Sequence, residues 1–313
     1  MEIVSLRALR PQALDLLLEE QTRFWREHFL WDYRPAVEMI RRFIQSHSLE
    51  GFAVTDNGLA RAYCFYFVED CKALIGDCFI AAGYSESGAG RQLVAQVIES
   101  LDAAAALRRI ETHILPPDAE IQEFLAARNF RLHERQFMRL DLAKMPANPG
   151  KITSPSSGLV LERFSGRNTE GAARLIHLAY ASHVDGDIND QYRSEEGASR
   201  FLRNLIQTQA NGEFIREGSF VLRPRMELQP AGMVLASRVA DGVAHITQIC
   251  VLPGYQHNGM GRAMMAASIE ALRKKGFRDL TLTVTSANVP AVRLYESLGF
   301  HTMRRFFAGY WRA

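Results

Sequence analysis

Cysteine is scarce in this 313-residue chain. Its four cysteines, Cys64, Cys71, Cys78 and Cys250, show no C-x-x-C spacing. Their strand-like, apolar surroundings argue against metal ligation and for buried free thiols in a reducing cytoplasm, the expected compartment. Long apolar runs are missing too: none approaches the ~20 residues of a bilayer-spanning helix. The opening "MEIVSLRALRPQ" has neither the basic start nor the apolar centre of a secretory signal. Net charge is only +2. No basic stripe with interleaved aromatics is present, so a nucleic-acid partner is not expected. The small excess is unevenly placed, −4 over residues 1–150 and +6 over 151–313. A compact polyanion bound by the second half would suit that division.

What is present is an ordinary globular balance, 47% apolar and 23% charged, in a length that suits two domains. The Pro/Ser/Gly-rich "KITSPSSG" has no periodicity and marks a linker at 143–157, between domains at 1–142 and 158–313. Both halves run in the same order. A strand ("EIVSLRAL"; "LVLERFS") is followed by two helical segments. Three strand patterns come next: "GFAVTD", "ARAYCFYFVED" and "KALIGDCFIAA", then "GSFVLRP", "AGMVLASRVA" and "AHITQICVL". A helix after glycines, a short strand, a short helix and a last strand pair close each half. "GYSESGAGR" (83–91) lies over "GYQHNGMGR" (254–262) at a constant offset of 171, with Gly88, Gly90 and Arg91 on Gly259, Gly261 and Arg262. A duplicated α/β domain is the economical explanation.

In the second copy a buried strand becomes a helix through glycines, without the Ser, Asp or Lys that commonly marks such a bend. A helix's first turn leaves amide N–H groups unpaired at the positive end of its dipole. Glycine lets that backbone take positive φ and approach a ligand, so a diphosphate can be held by main chain alone. The Walker A Gly-Lys-Ser/Thr is absent. The glycines Gly254, Gly259 and Gly261 also do not fit G-x-G-x-x-G.

"ICVLPGYQHNGMGRAMM" resembles motif A of the GNAT superfamily of N-acetyltransferases at Val251, Pro253, Gln256, Gly259 and Gly261. "TSANVPAVRLYESLGF" resembles its motif B at Asn288, Ala291, Leu294, Tyr295, Glu296, Gly299 and Phe300. The resemblance implies two tandem GNAT-like domains, α/β (α+β), each with a mixed, mostly antiparallel twisted sheet flanked by helices. It implies acetyl-CoA as cosubstrate and no metal. The fourth strand of such a domain parts from the fifth, leaving backbone that pairs with pantetheine. The implied cofactor contacts are Ile249, Cys250, Val251, Gln256, His257, Asn258, Gly259, Met260, Gly261, Arg262, Asn288 and Tyr295. Tandem members of the family, mycothiol synthases among them, have a similar length.

Acetyl transfer to a primary amine requires a deprotonated amine, a stabilised oxyanion and a protonated leaving thiolate. Tyr295 matches the family's general acid, and a phenol is protonated at neutral pH. The position where some members carry a strand glutamate is Thr283 here. The base is therefore open between His245 and a water chain. In "HVDGDINDQY" (183–192), Asp185, Asp187 and Asp190 form either a carboxylate-lined entrance for a cationic amine or a solvated acidic turn.

The first half has eroded. Ala82 and Ser85 stand at the positions of Pro253 and Gln256, and Asp118, Leu125 and Asn129 at those of Asn288, Tyr295 and Gly299. Leucine cannot protonate a thiolate, whereas asparagine tolerates a left-handed cap. A second cofactor seat at Ser85, Gly88, Gly90 and Arg91 competes with a purely structural role. For the whole chain two functions stand. One is an acetyl-CoA-dependent N-acetyltransferase of a small-molecule or peptide amine, with its chemistry in the second domain. The other is a non-catalytic acyl-CoA-binding sensor. Membrane partners are not expected, and the residues do not specify an oligomeric state.

Overall fold

A computed structural model describes residues 1–103, 107–115, 118–145, 158–207 and 212–313. Residues 146–157, most of the expected linker, lie outside the described residues. Backbone contacts divide the chain into two compact units. Unit 1 is Met1–Arg135 together with Arg304–Ala313, and unit 2 is Gln136–Met303. Each half of the sequence thus gives its last strand residues to the unit built by the other half. That exchange differs from a simple cut at the linker. It arises because strand pairing is decided by neighbours rather than by position in the chain.

Unit 1 contains β1 (Glu2–Ser5), α1 (Asp15–Phe29), α2 (Arg34–Gln45), β2 (Glu50–Asp56), β3 (Leu59–Glu69), β4 (Lys72–Ile80), α3 (Ala89–Asp102), β5 (Arg109–Ile114), α4 (Ala119–Ala127) and the first part of β6 (Arg131–Asp141). Unit 2 takes the rest of β6, then β7 (Leu159–Arg163), α5 (Thr169–Tyr180), α6 (Val184–Ile188), α7 (Glu195–Gln207), β8 (Glu213–Phe214), β9 (Phe220–Pro224), β10 (Gly232–Ala240), β11 (Val243–Val251), α8 (Met260–Lys274), β12 (Asp279–Thr285) and α9 (Val289–Ser297). The last strand, β13 (His301–Arg312), ends in unit 1.

The strand order in unit 1 is β1-β2-β3-β4-β5-β13, antiparallel except for the parallel pair β4–β5. In unit 2 it is β7-β9-β10-β11-β12-β6, with β11–β12 parallel and β8 paired to β10. Both units are mixed, mostly antiparallel sheets covered by helices on both faces. One face of unit 1 packs Leu93, Val97 and Leu125 of α3 and α4, and the other packs Leu18 and Ile40 of α1 and α2. In unit 2 Met264, Ile269 and Tyr295 of α8 and α9 cover one face, and Ile176 and Leu202 of α5 and α7 cover the other. Burial on both faces explains why β10 reads as a near-continuous apolar run. Among the described residues no helix is long and apolar enough to cross a membrane.

Each sheet carries the same defect at the same place. In unit 2, Leu235 pairs with Gln248 and Ala236 with Ile246, so Thr247 is an extra residue in β11. The parallel ladder to β12 covers only Val243–Ile246 and stops at that bulge. In unit 1, Cys64 pairs with Cys78 and Tyr66 with Ile75, which places the extra residue at Gly76–Asp77. The β4–β5 ladder likewise ends at Ile75. A bulge bends its strand and raises its twist, so in both units the central strand leaves its parallel neighbour. Phe65 lies where a Cβ on Gly76 would sit, 2.0 Å from its Cε2, so the ring needs that glycine.

Of the four free cysteines, Cys64, Cys78 and Cys250 are buried, while Cys71 is exposed where β3 turns into β4. Asp77 sits at the unit 1 bulge, accepting from Gln21 Nε2 at 3.1 Å, while Tyr63 donates to Gln21 Oε1 at 2.6 Å. Burial pushes the Asp77 carboxyl up to about 6 from the usual 3.8, against the lowering effect of Gln21. The folded state therefore holds this proton more tightly than the unfolded chain. The resulting stabilisation is full below about pH 4 and is lost as pH rises through 6. Asp77→Asn is expected to flatten the melting temperature between pH 4 and 7, removing a wild-type decline worth about 2 kcal/mol. Parallel melting curves for the two proteins would refute this.

Candidate active site

The turn from β11 to α8 is exposed from Pro253 to Gly259, apart from half-buried Tyr255. Gln256 folds back, its Nε2 donating to Val251 O at 3.0 Å and closing the end of the strand. His257 and Gly259 both adopt left-handed backbone, φ 62° and 75°. Gly259 is the N-cap of α8 and makes no side-chain cap. No acidic residue lies in the first turn. The amides at Met260, Gly261 and Arg262 therefore keep the positive end of the dipole clear of side-chain oxygen. The two glycines serve different purposes. Nothing lies within 4 Å of a Cβ placed on Gly259, so its need is the φ angle, whereas a Cβ on Gly261 would stand 3.2 Å from Leu294 Cδ2 of α9. Arg262 is exposed and bonded to Ser297 Oγ.

Around the bent end of β11 lies a polar cluster in which only Asp185 and Asn288 stand out in the sequence. Tyr180 of α5 donates to Ile249 O at 3.1 Å and accepts from Gln248 Nε2 at 3.0 Å. Tyr192 donates to Gln248 Oε1 at 3.1 Å, and the two tyrosine rings lie 4.6 Å apart. From α6, Asp185 accepts from the hydroxyl of Thr285 at the end of β12. His183 Nδ1 lies 3.6 Å from Asp185 Oδ2, and its Nε2 meets Asn288 Nδ2 at 3.0 Å. Asn288 also caps α9, its Oδ1 accepting from Ala291 N at 3.3 Å. Both ends of that amide are thus occupied within the protein.

Tyr295 is 5% exposed in the core beneath α8, its ring 5.9 Å from Phe300. Burial, then the nearby Asp185 carboxylate, push its phenol well above the usual range, so it stays protonated. Its hydroxyl makes no hydrogen bond among the described residues, which leaves the donor available. Cys250 faces α5 and α7, and burial pushes its thiol up to about 12. A thiol held protonated there is a poor nucleophile. His245 is packed rather than presented: its ring is 8% exposed, bonded to Thr281 Oγ1 at 2.9 Å and stacked on Phe137 at 5.8 Å.

A fork between parallel strands, an uncapped glycine turn and a buried, protonated phenol occur together in unit 2. Residues 187–300 match the model of the Acetyltransferase (GNAT) family. The chain carries a GNAT-family acetyltransferase domain. A mycothiol acetyltransferase of Actinosynnema mirum is 26% identical over 230 residues, covering 72% of this chain and 71% of the relative. A [ribosomal protein bS18]-alanine N-acetyltransferase of Escherichia coli is 45% identical over 64 residues, covering 20% of this chain and 43% of its own length. In fold, the chain is similar to a GCN5-related N-acetyltransferase from Sphaerobacter thermophilus. That likeness has a TM-score of 0.72 at 16% identity, over 99% of this chain and 95% of the other.

GNAT acetyltransferases use acetyl-CoA as cosubstrate, and the residues of unit 2 fit it. Free first-turn amides, the left-handed Gly259 and the unpaired flank of β11 beyond Ile246 are what a diphosphate and an extended amide-bearing arm require. Unit 1 keeps the GNAT backbone but differs in charge. Gly88 caps α3 with φ 71°, nearly the angle of Gly259, and Asn129 holds the left-handed position of Gly299 at φ 63°. However, Ala89 N donates to Ser87 Oγ at 3.3 Å. Glu120 Oε2 lies 3.7 Å from a Cβ placed on Gly88, and Asp118 Oδ2 lies 3.4 Å from one on Gly90. Two carboxylates thus border that turn, where a diphosphate would meet like charge. Ser85 Oγ is turned to Ala82 O at 3.0 Å.

Proposed function

We propose that unit 2 transfers the acetyl group of acetyl-CoA directly to a primary amine of a small molecule or peptide, and that unit 1 serves as its structural partner. The observation that carries this reading is the pairing of the uncapped α8 turn with the fork at Thr247. The relatives support the amine as acceptor class: one is a mycothiol acetyltransferase and the other acetylates a protein alanine. Acetyl-CoA supplies an acetyl group already activated as a thioester. The chain then needs to seat the diphosphate on the amides of residues 260–262, hold the amine, and donate a proton toward sulfur. Tyr295 is the donor in this reading. The polar cluster at Tyr180, His183, Asp185 and Gln248 replaces His245 as the acceptor side of the site.

Tyr295→Phe keeps the ring packing and removes only the hydroxyl. It is expected to lower kcat about 100-fold, the usual worth of a positioned proton donor. Acetyl-CoA affinity by calorimetry is expected to stay within about twofold, because the phenol is not part of the diphosphate seat. Equal turnover in the two proteins would remove Tyr295 from this role. Acetyl-CoA binding without thiol release from any amine would instead favour a sensor.

A further inference from the structure

Asp185 is the carboxylate of the polar cluster, and its surroundings are unusual for a charge. Its side chain is only 15% exposed. Its partners are the Thr285 hydroxyl and, at 3.6 Å, the His183 ring, and no Lys or Arg pairs with it among the described residues. The neighbouring acid Asp187 differs on both counts: it is 50% exposed and paired with Arg193 at 3.4 Å. A carboxylate withdrawn from water without a fixed cation is costly to keep charged, and a cationic ligand removes that cost. Two phenols lie close to it. Tyr180 and Tyr295 are both held protonated by burial, and both feel the Asp185 charge. The site is therefore built around one negative charge, set between α5, the end of β12 and α9.

We propose that Asp185 anchors the ammonium of the acceptor, and that it selects amines with no carboxylate beside the nitrogen. This rests on the acetyltransferase reading of unit 2. An ammonium docked on Asp185 sits near Tyr295, whereas an acceptor carrying its own α-carboxylate would press a second negative charge into the same half-buried space. At a few ångströms and reduced dielectric that repulsion outweighs any contact the carboxylate could make with a phenol. Amino alcohols, amino sugars and peptide N-termini satisfy the rule, and free α-amino acids do not.

The test uses the full chain, acetyl-CoA and three matched pairs: ethanolamine with glycine, alaninol with alanine, and phenylalaninol with phenylalanine. Each pair differs in an alcohol against a carboxylate. Thiol release gives kcat and KM, and calorimetry gives acetyl-CoA affinity separately. The wild type is expected to favour the alcohol of each pair at least 30-fold in kcat/KM. Asp185→Asn is expected to raise KM for the alcohols at least tenfold and bring the paired values close together, with acetyl-CoA affinity unchanged. Asp185→Glu is expected to restore part of the preference, which a general folding defect would not allow, and Asp187→Asn to leave it intact. Alcohols and acids handled alike by the wild type, an unchanged KM in Asp185→Asn, or acetyl-CoA binding with no amine consumed would each overturn the proposal. A protein that does not bind acetyl-CoA would overturn the acetyltransferase reading first.

Discussion

Ending the chain at Met303 is expected to unfold unit 1, although the deleted residues come from the far end of the sequence. Residues 304–313 complete that unit's sheet: Phe307 through Arg312 pair with Ile114 through Arg109 of β5. The deletion takes away Phe306, Ala308 and Tyr310, all buried. It also removes the Tyr310 ring over which Arg109 lies at 4.8 Å and against which His133 stacks. Two buried aromatics at about 2 kcal/mol each, with six ladder positions lost, remove about 5 kcal/mol or more. That is comparable to the whole stability of a domain. Circular dichroism should show a large loss of cooperative melting, and a separate peptide of residues 300–313 should restore part of it. A truncated protein that melts like the wild type would mean the exchanged strand is dispensable.

Gly259→Val is the second large effect. A β-branched residue at φ 75° is strained by about 1–2 kcal/mol, and the substitution places side chain where the amides of α8 must stay open. Acetyl-CoA affinity is expected to fall at least tenfold by calorimetry, with only a modest drop in melting temperature because no neighbour lies within 4 Å. Gly261→Val should show the opposite balance. Its side chain presses on Leu294 of α9, the helix that carries Tyr295, so stability and turnover fall together. Gly88→Val in unit 1 is expected to leave affinity unchanged, since Asp118 and Glu120 already oppose an anion there. Unaltered affinity in Gly259→Val would count decisively against a diphosphate seated on this turn.

Much of the architecture was legible because it is written locally. Alternation in "GFAVTD" and the glycines before α3 and α8 are short-range signals, and the duplicated glycine spacing gave both units their order. The exchange of strands was not legible. "RLHERQFMRLD" and "HTMRRFFAGYWR" alternate equally well, and nothing within either strand states which neighbour it will pair with. The same limit applied at the site. The glycine turn and Tyr295 lie in compact motifs and could be read directly. Asp185 and Thr285 meet across 100 residues, and Tyr180 reaches Ile249 across 69. His245 is a candidate base in the sequence because an imidazole titrates near neutrality, and only folding discloses its burial against Thr281 and Phe137. The acidic run "HVDGDIND" does offer Asp185 as one side of an entrance for a cationic amine, but sequence alone does not separate that from a solvated turn.

The crease at Thr247 and its counterpart at Gly76–Asp77 occupy equivalent places with no side chain in common. Main-chain geometry of this kind tolerates turnover of the letters that spell it, whereas a proton donor disappears with one substitution. In a repeated unit, then, shape is written more redundantly than reactivity.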